Sequence, residues 1–207
     1  MTSAAHRSRA TVGHAIRSAA PYRERMSRTS PPPPQAIRRD ITVGGTSKPE
    51  LLRLLASHNV QLNAMATQLF ADARFETAPT ASTLRTWDLS VGELGFSEGA
   101  SIDAIMERAA NHGLMPAPLE LGPHMRLQFL DQTELPNEQS EARHQAPRGS
   151  LTIVSIPISD DDDLPCGFYL RRIDGVLWLR GYKSWSGHRW NPADRMAFVE
   201  RASCGQS

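Results

Sequence analysis

Apolar residues along the chain fall into two textures, one spaced for helices and one alternating as in strands. The first opens at "GGTSKPELLRLLASHNVQLNAMATQLFADARF". Ser47 and Glu50 have capping-box spacing, and Pro49 falls in the first helical turn, where a missing N–H costs little. Leu51, Leu52, Leu54 and Leu55 form one apolar face, and His58 and Asn59 end the helix. Leu62, Met65, Leu69 and Phe70 continue on a second helix. In "TWDLSVGELGFSEGASIDAIMERAANHGL", Ser90 and Glu93 repeat the capping-box spacing around a turn. Ser101 caps a further helix with Ile102, Ile105, Met106 and Ala109 on one side, and Gly113 is placed to stop it.

Beyond residue 119 the period shortens. "HMRLQFL" alternates Met125, Leu127 and Phe129 with polar residues, and "LTIVSIPI" (Leu151–Ile158) is rich in β-formers. "GFYLRRI" and "VLWLRGY" are separated by Asp174 and Gly175, a strong local signal for a two-residue hairpin turn. "NPADR" reads as the start of a short terminal helix, with Asn191 as cap and Pro192 in the first position. The pattern predicts an α+β fold, with N-terminal helices packed against a C-terminal antiparallel β-sheet. The expected domain runs over 46–200, with a helical half at 46–115, a β-rich half at 119–190 and a terminal helix at 191–200. A tail occupies 201–207.

Charge separates the first part of the chain from the rest. Residues 1–40 hold eight arginines and two acids, Glu24 and Asp40, for a net of +6 against +1 for the whole chain. "PPPPQ" (Pro31–Gln35) is a polyproline element. Residues 1–45 therefore read as a disordered Arg/Pro-rich basic extension, able to touch nucleic acid through charge alone. The remainder is mildly acidic, which turns the expectation toward a protein partner or self-association.

Three strings, "GGTSKPELLRLLASHNVQLNAMATQLFADARF", "LGFSEGASIDAIMERAANHGLMPAPLELGPHMRLQFLDQ" and "GFYLRRIDGVLWLRGY", together resemble a small group of uncharacterised bacterial proteins, some of which carry an automatic helicase label. The resemblance covers residues 44–200 and implies one domain. It implies no activity, ligand or site. The chain has no GxxxxGK[ST] string, so the label has no mechanistic support.

Several kinds of chemistry lack their signatures. There is no CxxC or HExxH spacing for a metal and no GxSxG elbow, so neither a metal nor a cofactor is expected. The two cysteines, Cys166 and Cys204, read as reduced thiols of a cytoplasmic protein. No run of apolar residues is long enough to span a membrane. The run Asp160–Asp163 reads as a solvated loop. A helix-turn-helix would present Gln61, Asn63, Thr67 and Gln68 to bases, yet no lysine or arginine falls between Arg53 and Arg74 to hold phosphates.

Two sets of side chains remain as site candidates. Glu120, His124 and Arg126 could do acid–base work on an anionic substrate, with His124 and Arg126 sharing the face of a predicted strand. Arg171, Arg172 and Arg180, with Trp178, fall on the hairpin strands, where an arginine must reach water, pair with a carboxylate or bind an anion. Trp185, His188 and Arg189 follow in a loop ending at Trp190, an interleaving of aromatic and basic groups that suits single-stranded nucleic acid or a lid. The leading expectation is a non-enzymatic interaction module with a protein partner. The alternatives are a small enzyme using the Glu/His/Arg cluster, and a nucleic-acid binder using the basic extension and the Trp/Arg loop.

Overall fold

A computed structural model of the 207-residue chain describes residues 30–135, 146–161, 163–185 and 187–201. Residues 1–29 of the basic extension, Asp162 of the acidic run, and 202–207 of the tail with Cys204 lie outside them. Among the described residues the elements are β1 (Ile37–Val43), α1 (Lys48–Ser57), β2 (Gln61–Leu62), α2 (Ala64–Ala71), β3 (Ser82–Ser90) and α3 (Ile102–Asn111). They continue as β4 (Leu114–Met115), α4 (Leu121–Gln128), β5 (Leu151–Ile153), β6 (Gly167–Ile173), β7 (Val176–Tyr182) and β8 (Arg195–Glu200). The fold is α+β. One mixed eight-stranded sheet runs β1-β3-β8-β5-β6-β7-β2, and β4 also pairs with β8. Pairing is antiparallel except β5 with β8 and β2 with β7.

The local helix signals act as their chemistry predicts. Ser47, Asn63 and Ser101 each accept a backbone N–H of the turn they cap. Asn59, past the end of α1, sits at φ 54, in the left-handed region that asparagine tolerates better than most residues. Ser90 and Glu93 bond reciprocally, Ser90 N–H to Glu93 Oε2 at 2.6 Å and Glu93 N–H to Ser90 Oγ at 3.1 Å. Asp174 and Gly175, at φ 50 and 74, close a two-residue hairpin turn that pairs Ile173 with Val176.

Four expectations are corrected. Residues 37–43, placed in the extension, form β1, because Ile41 and Val43 bury their side chains in the core while β3 pairs their backbone. The 46–115 half is not all helical: β2, β3 and β4 lie within it. "HMRLQFL" is not a strand: its first five residues, His124–Gln128, lie in α4 and Phe129 caps it. Leu121, Met125 and Phe129 are four apart, a helical spacing that outweighs the two-residue alternation over the same residues. Residues 195–200, read as a terminal helix, are β8. Met196 and Phe198 face one way and Ala197 and Val199 the other, and all four are buried, as a central strand requires.

The two faces of the sheet are covered unequally. On one face Leu151, Ile153, Phe168, Leu170, Leu179, Ala197 and Val199 pack under α1, α2 and α4. Gly122 lets α4 approach β6, since a Cβ there would stand 2.8 Å from the Phe168 ring. On the other face Leu89, Met196 and Phe198 pack with Ile105 and Ala109 of α3. No described helix packs on the β5–β6–β7 half of that second face. The candidate site lies there.

Candidate functional site

Glu120, His124 and Arg126 are all buried, but they do not converge. In α4 a two-residue step turns the side chain by roughly 200°, so His124 and Arg126 point apart, against the shared strand face expected of them. His124 Nε2 accepts the Gly44 N–H at 3.1 Å, which puts the ring proton on Nδ1 and makes the ring neutral. Burial holds its pKa below the ordinary value, in the same direction. Glu120 Oε2 accepts the Ala78 N–H at 3.0 Å and lies 3.9 Å from His124 Nε2. This pair holds the turns after β1 and before β3 against α4. Arg126 faces Gln132, to which Nη1 donates at 2.5 Å. Desolvation, aided by the nearby Arg172 charge, lowers its pKa to about 10, still protonated at neutral pH. Its Nε and Nη2 meet no partner.

The hairpin separates the other candidates by face. The register pairs Tyr169 with Arg180 and Arg171 with Trp178, so these four side chains share the open half of the second face. Arg172 falls on the opposite face, in phase with Phe168 and Leu170. The Arg180 guanidinium lies 5.1 Å from the Trp178 ring centre and 5.9 Å from that of Tyr169. Its Nε is buried with no hydrogen-bond partner. Thr152 of β5 pairs with Tyr169 and extends the same row.

A cavity of about 540 Å³ opens over this row. Tyr169, Tyr182, Trp185, His188 and Trp190 wall it, and Arg180 and Lys183 supply its charge. The rings form a continuous chain. Tyr169 and Tyr182 have centres 6.4 Å apart, Tyr182 and Trp190 5.9 Å, Trp190 and His188 4.7 Å, and His188 and Trp185 5.1 Å. Among the described residues its lining contains two cations and no carboxylate. Burial raises the pKa of both tyrosines, so the phenols keep their protons and cannot cancel the positive charge. Asn63 closes the edge, joining Gly181 through both backbone groups: Gly181 N–H to Asn63 Oδ1 at 2.8 Å and Asn63 Nδ2 to Gly181 O at 3.0 Å. Asn63 is thus spoken for, and β2 lies between the two helices that a helix-turn-helix would have required.

A smaller cavity of about 270 Å³ lies beside the first and shares Tyr182, Ser184, Trp185 and Trp190 with it. Of the expected site residues, the large cavity gathers Arg180, Trp185 and His188. Trp178 and Arg171 stand on the adjoining sheet face. Arg189 does not line the large cavity, and its Nε donates to Glu98 O at 3.1 Å. The sequence reading missed Tyr182, Ser150, Thr152 and Ser155 as site residues. The hairpin register implied by Asp174–Gly175 was the signal that could have placed Tyr169 beside Arg180.

Among the described residues no group of three or more His, Cys, Asp or Glu side chains could hold a metal, and no helix is long and apolar enough to cross a membrane. Compared with family models, with curated proteins and with solved structures, the chain matches none.

Proposed function

We propose that this protein is a binding module without a catalytic role for its buried Glu–His pair, and that its ligand is a small organic anion with a flat apolar body. The observation that carries the reading is the large cavity: aromatic walls and two cations, with no carboxylate among the described residues that line it. A pocket of this volume is of small-molecule size. Its size and concave aromatic walls favour such a ligand over the protein partner expected from the acidic charge of the domain. Arg180 supplies the specific contact, because a planar guanidinium already seated between two rings can meet a carboxylate with little further ordering. The acid–base alternative draws no support from Glu120 and His124, where Glu120 Oε2 and His124 Nε2 each accept a backbone N–H.

The test compares 2-naphthoate with its neutral analogue 2-naphthamide by calorimetric titration of the full chain. A charge-assisted hydrogen bond is worth about 1.5–3 kcal/mol, so naphthoate should bind at least about tenfold tighter. Arg180→Gln should remove most of that difference. Equal affinity for the two probes, or binding of neither, overturns the reading. Tight binding of an oligo(dT) strand in place of naphthoate would move it to nucleic acid.

A further inference from the structure

The sheet ends at β1, which pairs with β3 along one side only. An open strand edge is a template for another strand. Thr42 shows which backbone groups of β1 face outward. Its N–H donates to Gln128 Oε1 at 3.0 Å, and its carbonyl accepts from Gln128 Nε2 at 2.8 Å. Direction alternates along an antiparallel strand, so Arg38 and Asp40 also turn their N–H and C=O away from β3. Both residues are exposed, and no described residue bonds these outward groups. Beyond them the Ala36 N–H turns back to Pro33 O at 2.9 Å. The open edge is thus Arg38 and Asp40, bounded by the Gln128 amide at one end and by a turn at the other.

A second copy can meet this edge antiparallel about a twofold axis, and charge decides the register. An axis at Arg38 sets arginine against arginine. An axis at Asp40 sets aspartate against aspartate and brings Arg38 to Thr42, whose groups are bonded to Gln128. An axis at Arg39 sets Arg38 of each copy opposite Asp40 of the other. Opposite charges directly across a strand pair stabilise it, and like charges weaken it. This last register also joins all the outward groups left open at Arg38 and Asp40.

We infer that the β1 edge is a self-association surface, and that its partner is a second copy of this chain, paired antiparallel about a twofold axis at Arg39. The contact is isologous, the commonest symmetry of soluble dimers. Within one strand Arg38 Nη2 donates to Asp40 Oδ2 at 3.0 Å, and Arg85 Nε lies 3.5 Å from the same carboxylate. Pairing extends this charge ladder across the axis and leaves no bare charge at the junction. β1 lends no residue to the large cavity, so association and ligand binding are separable.

Sedimentation of the full chain from micromolar to near-millimolar concentration should show a monomer passing to a dimer. Asp40→Arg and Arg38→Asp each oppose like charges across the axis, and each should weaken the dimer about tenfold. The double exchange, Arg38→Asp with Asp40→Arg, faces opposite charges again and should restore association to within about threefold of wild type. The two side chains are 49% and 47% exposed, so these variants leave the core untouched. Amide hydrogen exchange gives a second readout. The Arg38 and Asp40 N–H groups should slow as concentration rises, while the Thr42 N–H, held by Gln128, should not change. A monomer throughout the range, a dimer indifferent to both single reversals, or no rescue by the double exchange would overturn the pairing. So would slow exchange at Arg38 and Asp40 in the monomer, which would assign the edge to another segment of the same chain.

Discussion

The turn-holding cluster on α4 and the aromatic cavity on the second sheet face both gather titratable side chains, and they differ in where the hydrogen bonds go. At the first, His124 and Glu120 meet the amides of Gly44 and Ala78. At the second, the Arg180 guanidinium stands over two rings on a cavity wall, and no carboxylate is among the described residues that line it. Polar groups fully engaged with backbone are holding the fold. A cation beside a cavity with no carboxylate in its described lining is where a ligand has something to gain. A buried Glu–His pair is the more familiar sign of catalysis, yet here it is the cluster with less to offer a substrate.

The largest effect is expected at Gly181, where α2 is seated on β7 at the edge of the cavity. A Cβ on Gly181 would stand 2.6 Å from the Met65 carbonyl carbon and 2.7 Å from the Ala66 nitrogen, so Gly181→Ala must push α2 off β7. Overpacking of this kind costs about 1–3 kcal/mol, and the clash with backbone puts this case at the upper end. The same change distorts the Asn63 edge of the cavity, so naphthoate binding should fall with stability. A chemical denaturation midpoint unchanged from wild type would show that α2 is not seated as described.

Next in size, His124→Leu leaves the buried Gly44 N–H without an acceptor and should cost about 1–3 kcal/mol. Naphthoate affinity should change less than twofold. A loss of binding with unchanged stability would break the comparison by giving the α4 cluster a ligand role. The pH response has a definite sign. The folded pKa of His124 lies below its ordinary value, so in acid the unfolded chain binds a proton the native state excludes. This contribution is complete above the unfolded value of about 6.5 and is lost as pH falls through the folded value. His124→Leu should remove that slope.

Asp194, in the turn between Trp190 and β8, titrates with the opposite sign. Its carboxylate accepts the Asn191 N–H at 2.8 Å, and among the described residues no cation pairs with it. Burial raises its pKa from 3.8 to about 6. The native state therefore holds a proton that the unfolded chain has released, and stability falls as pH rises from about 4 to about 6. Asp194→Asn keeps an oxygen for Asn191 and removes the buried charge. It should raise stability at pH 7 by about 1–2 kcal/mol, after part of the charge penalty is returned by burying the amide N–H₂. Denaturant midpoints at pH 4.5 and 7 check both the gain and the flattened slope, and a loss of stability at pH 7 would show that the carboxylate is matched by its surroundings.

Local signals in the sequence were legible wherever a short-range bond decides the structure. Ser47, Ser101 and the Ser90–Glu93 pair act within three residues, and Asp174–Gly175 closes its hairpin within four. What the sequence did not disclose were choices made by distant partners. The strand β1 exists because β3 lies beside it, and β8 is a strand because β3 and β5 flank it. Six residues of "RMAFVE" fit either period until those neighbours are known. For the site, the relevant aromatic and basic stretch was visible from composition alone, and Arg180, Trp185 and His188 do come together. The rest required tertiary placement: α4 turns His124 and Arg126 apart, and the helices cover one half of the second sheet face and leave the other open.

The smallest expected effect separates a built pocket from a merely positive surface. Arg180 and Lys183 both border the large cavity and carry the same charge. Arg180 stands over two rings with its Nε buried. Lys183 is 39% exposed in its side chain and lies 3.7 Å from Asp163, itself almost wholly in solvent. An exposed ammonium interacts through water and salt, and such contacts contribute at most about 1 kcal/mol. Lys183→Gln should therefore weaken naphthoate less than threefold and reduce the salt dependence of binding, whereas Arg180→Gln weakens it tenfold at any ionic strength. If the two substitutions cost the same and both effects vanish in high salt, the anion is drawn by the general field of the loop, and the Arg180 guanidinium is not the contact that selects it.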